Sequence, residues 1–141
     1  MHKLWWLLVL DLVGASFYSI LELIWTWIID GVAFTSIQQF TMNLLTIPLF
    51  TVMYRLCIPK KYLRIGLYPL NIWILEILQG YSLMHFYDGR NPAWNYTTSD
   101  AFFDGNIRLF YFPVWLFLGV VVDSILDWIP YFNPSKNRKL I

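Results

Sequence analysis

Two glutamates, Glu22 and Glu76, stand inside long apolar runs where a carboxylate has no routine structural role. A charged side chain at the centre of a bilayer costs at least ~2.5–3.5 kcal/mol, so such a group should face inward. There it can hold a proton, bind a cation or accept hydrogen bonds from a polar solute. At 100° per residue, Asp11 and Glu22 return to nearly the same helical angle, with Gly14, Tyr18 and Trp25 between or beside them. The next apolar run carries Ser36, Gln39, Asn43 and Thr46 at three- or four-residue steps, one polar stripe on a helix. Glu76 and Gly80 lie one turn apart with Gln79 beside them, and Gly119, Asp123 and Asp127 follow each other at four-residue steps. Glu22, Glu76, Gln39, Asn43 and Asp123 thus form a candidate intramembrane polar site, the small residues allowing close helix approach. No lysine or arginine is expected deep enough to neutralise Glu22 and Glu76, which lie nearest mid-span.

A second constellation is the stretch from Asp88 to Trp115, the one long segment that a bilayer could not absorb. Its aspartates Asp88, Asp100 and Asp104, arginines Arg90 and Arg108, and turn-forming Asn, Thr and Gly alternate with Trp94, Tyr96, Phe102 and Phe103. Such a mixture predicts a structured loop at a membrane surface, rings in the headgroup layer and charges in water. Trp94 and Tyr96 are expected to share one face, with Trp94 substantially buried, Phe102 and Phe103 packed on the helix ends, and Asp100 and Asp104 paired with Arg90 and Arg108. Asn95-Tyr96-Thr97 meets the Asn-x-Thr glycosylation rule, so Asn95 is a possible acceptor.

The elements that must position these residues are helices. The 141 residues are 58% hydrophobic and 13% charged, against roughly 25% charged in a soluble domain. Apolar runs at about 4–29, 34–56, 63–86 and 109–132 each approach or exceed the ~20 residues of a bilayer crossing. The expected fold is all-α: a single four-span membrane domain with a structured aromatic loop between the third and fourth helices. Pro48 is expected to kink the second span, and the first run, interrupted by Asp11, is expected to be retained rather than cleaved. Of the ten basic residues, Lys3, Arg55, Lys60, Lys61, Arg64, Lys136, Arg138 and Lys139 fall on one side, which predicts both termini in the cytoplasm.

A net charge of +1 offers no field for nucleic acid, which is excluded as a partner. The single cysteine, Cys57, allows no intrachain disulfide or thiolate metal site and is expected to be a buried thiol. His85 with scattered carboxylates makes no specific metal site, and no nucleotide-binding, nucleophile-elbow or zinc-protease motif is present. No catalytic residue, metal or cofactor is assigned.

The loop run Trp94-Asn95-Tyr96, then Asp100, Phe103, Gly105, Ile107, Leu109, Tyr111 and Trp115, resembles the Trp-Asp-Tyr-Ser stretch of the transmembrane protein 229 family. The segment from Trp73 to Gly80 is similar to that family's Glu-x-x-x-Gly motif in its third span, and Thr35-Ser36 and a span-one glutamate also match. The similarity runs from about Gly14 to Asp123. Asn95 stands where the family has aspartate, and the loop before Trp94 is longer. The resemblance implies a four-span membrane protein with bacterial relatives described as ABC-transporter-permease-like.

Two functions follow. The first is a transport-related protein whose polar site takes a cation or small polar solute, working as a homo-oligomer or with other membrane subunits. The alternative is an assembly module in which the polar groups join helices and the loop recognises a partner or lipid. A lipid-modifying enzyme using paired carboxylates ranks last.

Overall fold

A computed structural model describes residues 2–31 and 33–129 and is mostly helical. Helix α1 spans His2–Asp30, α2 Ile37–Cys57, α3 Lys61–Phe86 and α4 Phe112–Trp128, the last preceded by a 3-10 turn at Leu109–Tyr111. Between α3 and α4, strands β1 (Ala101–Phe102) and β2 (Ile107–Arg108) pair antiparallel, Ala101 opposite Arg108.

The helix starts follow from local chemistry. Ser36 adopts an extended backbone and its Oγ accepts the Gln39 amide at 3.1 Å, capping α2. Across the short link before it, Phe34 N donates to Thr26 Oγ1 at 2.8 Å, tying the entry of α2 to the last turns of α1. Pro59 and the Lys60 cap open α3, where the Arg64 amide donates to Lys60 O at 3.1 Å. The expected kink in the second helix is present: α2 bends by 40° between Ile47 and Leu49, at Pro48, whose ring removes a backbone donor.

The helices pack mainly as two hairpins, α1 on α2 and α3 on α4, joined through α2 and α3. Rings close the seam between α1 and α4: Tyr18 stacks on Trp115 with centroids 6.0 Å apart, and Trp25 meets Tyr111 edge-on at 5.6 Å. As α1 advances from Tyr18 to Trp25 its partners go back from Trp115 to Tyr111, so these two helices run antiparallel.

The distribution of polarity is reversed from that of a water-soluble domain. Gln39, Asn43, Arg64, Glu76, Gln79, Asn106 and Asp123 are buried, while Leu12, Ile24, Leu45, Leu49, Ile74 and Phe117 are exposed. An apolar exterior this continuous is suited to lipid rather than to water. Among the described residues, Leu8–Ile29 and Leu109–Trp128 are long and apolar enough to cross a membrane, and the bent α2 makes a third when its halves are taken as one span. That is consistent with a membrane protein. Helix α3, at 26 residues, is long enough but carries Arg64, Asn71, Glu76 and Gln79, so its composition alone does not qualify it as a span.

Candidate functional site

The polar stripes meet at two separate places. Near the loop end, α1 and α2 are joined through Glu22, whose Oε2 accepts Thr35 Oγ1 at 2.6 Å and which also takes a hydrogen bond from Gln39. From α3, Gln79 Nε2 donates to Asn43 Oδ1 at 3.1 Å and to Thr46 Oγ1 at 2.7 Å, linking the hairpins. Glu76, only 4% exposed, accepts the Tyr18 hydroxyl on Oε1 at 3.5 Å. Its other oxygen, Oε2, is buried without a partner, as are Asn43 Nδ2 and Gln39 Oε1. Among the described residues no cation pairs with Glu22 or Glu76.

Glu76, Asn43, Gln79 and Tyr18 border one cavity of about 180 Å³ between the hairpins. The remainder of its wall is mostly apolar or aromatic, including Phe17, Phe50 and Tyr68, with Thr51 and Asn71 as its other polar side chains. An unpaired buried acceptor and an unpaired buried donor on one cavity are unusual, since such groups each forfeit about 1–3 kcal/mol when left unsatisfied. The arrangement can bind a species that supplies both partners.

Asp123 does not join this set. It lies at the other end of α4, where Arg64 Nε approaches its Oδ1 at 2.6 Å and Arg55 Nη1 at 3.3 Å. Arg55 Nη2 and Lys61 Nζ reach Asp127 at 2.7 and 2.8 Å. Asp123 and Asp127 are thus paired with cations, unlike Glu22 and Glu76. Arg64 is 7% exposed because its remaining Nη1 donates to the carbonyls of Ile58 and Pro59, the polar turn that opens α3. Its burial is visible only with Asp123 opposite, which sequence spacing within one helix does not reveal.

The loop is ordered around a residue the sequence did not single out. Asn106 is 0% exposed: Oδ1 accepts Asn91 Nδ2 at 3.0 Å, Nδ2 donates to Phe103 O at 2.8 Å, and its carbonyl accepts the Trp94 indole N–H at 2.9 Å. The Asn106 amide lies against Gly80, where a Cβ would collide with it. The Glu-x-x-x-Gly spacing thus places the cavity carboxylate and the loop's seat one turn apart on α3. A hydrogen-bonding asparagine beside several turn residues was the available signal, masked by the more conspicuous rings.

Trp94 is half-buried and Tyr96 inserts its hydroxyl end, where burial first and the nearby Glu76 charge next push its pKa well up. Tyr96 N donates to Gly105 O at 3.0 Å, and Gly105, at φ 79°, has no room for a side chain beside Asn95 and Tyr96. Asn95 itself is exposed.

Phe102 and Phe103, expected to pack on the helix ends, instead stand exposed on the hairpin, with Phe103 and Asp104 at positive φ in its turn. The ion pair is Arg108 with Asp100, 3.3 Å, whereas Asp104 accepts the Tyr81 hydroxyl at 2.8 Å. Arg90 joins neither carboxylate in an ion pair. Hydrogen bonds from Thr98, the Phe110 amide and Arg108 hold the Asp100 carboxyl below the ordinary range. Cys57, expected buried, is exposed at the end of α2. Lys136, Arg138 and Lys139 lie outside the described residues.

No protein-family model matches this chain, and no similar curated protein or solved structure is found.

Proposed function

We propose that the chain is a multi-pass membrane protein of four spans whose helices enclose a site for a cation or small polar solute, and that it works in transport. Glu76 carries the proposal: its Oε2 is buried without a partner on the wall of an inter-hairpin cavity, beside the equally unpartnered Asn43 Nδ2. Intramembrane carboxylates that face the protein interior mark ion and solute paths. In this reading α3 is a span because its polar residues turn inward and its apolar Leu70, Ile74 and Leu78 turn to lipid. Four helices enclose little volume, so a continuous path runs between protomers or beside partner subunits. We also infer kinship with the transmembrane protein 229 family from the Trp94 to Trp115 and Trp73 to Gly80 motifs.

In sealed vesicles, Glu76→Gln and Glu22→Gln proteins of normal yield and folding should lose monovalent-cation or proton flux that the natural protein supports. Equal flux in all three proteins removes the transport reading.

The exposed Phe102 and Phe103 favour the second reading, an assembly module whose hairpin enters a partner or the headgroup layer. Replacing both by serine should then release a co-purifying protein while leaving flux unchanged.

A further inference from the structure

We infer that the inter-hairpin cavity binds a small organic ammonium, with the charged nitrogen on Glu76 and an apolar, ring-sized body among the aromatic walls. This deepens the site reading above and rests on Glu76 being its anchor.

The cavity volume of about 180 Å³ somewhat exceeds the roughly 150 Å³ that accommodates a benzene ring elsewhere. A bare metal ion would leave most of that space empty, and apart from Glu76 the side-chain oxygens on the wall are the neutral ones of Tyr18, Asn43, Thr51, Tyr68, Asn71 and Gln79. Hard cations want six or more oxygens, whereas Glu76 is the one carboxylate on this cavity and no cluster of metal-ligating side chains occurs among the described residues. A wholly polar solute would in turn leave its hydrogen-bonding groups against Val13, Ile47 and Leu118.

An ammonium on an apolar body meets each part of the wall. Its N–H groups satisfy Glu76 Oε2, which has no other partner. Four aromatic side chains that can attract its charge, Tyr18, Phe17, Phe50 and Tyr68, line the same cavity. A hydroxyl or carbonyl on the ligand would accept from Asn43 Nδ2, 2% exposed and otherwise unpaired.

The test is fluorine NMR of the full chain in nanodiscs with 4-fluorobenzylamine and, as its neutral counterpart, 4-fluorotoluene. The amine should bind the natural protein at least about tenfold more tightly than fluorotoluene, and Glu76→Gln should abolish that preference. Val122→Phe, which adds a ring to the cavity wall from α4 and leaves the Glu76 carboxylate itself in place, should remove amine binding and gives a second variant if Glu76→Gln does not fold. Equal affinity for amine and toluene, unchanged preference in Glu76→Gln, amine binding that survives Val122→Phe, or no amine binding at all would each overturn the inference. Loss of alkali-cation or proton flux in Glu76→Gln alongside absent amine binding would sink the ligand class and leave the proposed transport site standing.

Discussion

Glu76 and Gly80, one turn apart on α3, serve different masters: the first faces the cavity, the second receives Asn106 from the loop. Replacing a buried polar group by an apolar one of similar size is often neutral or stabilising. Glu76→Leu should therefore raise the melting temperature of the purified protein while abolishing flux, the usual exchange of stability for activity at a site. A variant that loses both would make Glu76 helix glue. Gly80→Ala should instead destabilise by about 1–3 kcal/mol, since the added methyl overlaps the buried Asn106 amide. Thermal unfolding of Gly80→Ala/Asn106→Ala should show less than the sum of the two single losses; strict additivity would mean the contact is not shared. Glu22, Glu76, Gln39 and Asn43 were legible because helical periodicity projects each onto an inward stripe. Asn106 and Arg64 were not, because what buries them comes from another segment: Gly80 and Asn91 for one, Asp123 for the other.

At the scale of elements, α4 is fastened to α2 and α3 by charges at one end, and at the other by the hairpin and by rings that meet α1. Arg64→Met should weaken the first fastening. The loss should fall below the ~3–5 kcal/mol of a buried pair stripped of its only partner, since Arg55 stays at 3.3 Å from Asp123. Arg64→Met/Asp123→Leu should recover part of it, measured by thermal unfolding, and a double variant no better than the single would argue against the pair. The hairpin answers to acid. Asp100 has a folded pKa below the ordinary ~3.9, so its stabilisation is complete above that value and is lost as pH falls through the lowered one. Trp94 fluorescence should report the hairpin loosening in that acid window, and Asp100→Asn should remove the pH dependence; an unaltered acid transition would assign it elsewhere. Helix existence and the Pro48 bend were readable from apolar runs and one proline. The exposure of Phe102 and Phe103 was not, because a two-residue ladder with left-handed turn residues decides which way they face.

For the whole molecule, α1 and α4 run antiparallel, and Arg55, Lys61 and Arg64 gather with Asp123 and Asp127 at the end opposite the loop. If all four helices span, the exposed Cys57 and residue Ser99 lie on opposite sides. Impermeant maleimide on intact cells should then label Ser99→Cys in a Cys57→Ser background and leave natural Cys57 unlabelled until the membrane is opened. Labelling of both from one side would sink the four-span topology.

The clasp between Arg64 and Asp123 also bears on how the chain enters a membrane during synthesis. Helix α3 emerges first and offers a translocon Arg64, Asn71, Glu76 and Gln79, a poor insertion signal on its own. The carboxylate that neutralises Arg64 is made 59 residues later, on α4. On the four-span topology α3 waits at the interface until α4 arrives, and the two then partition as a pair. In a chain truncated at Tyr111, an Ile74→Cys substitution in a Cys57→Ser background should stay reactive with a water-soluble maleimide, and extension through Trp128 should protect it.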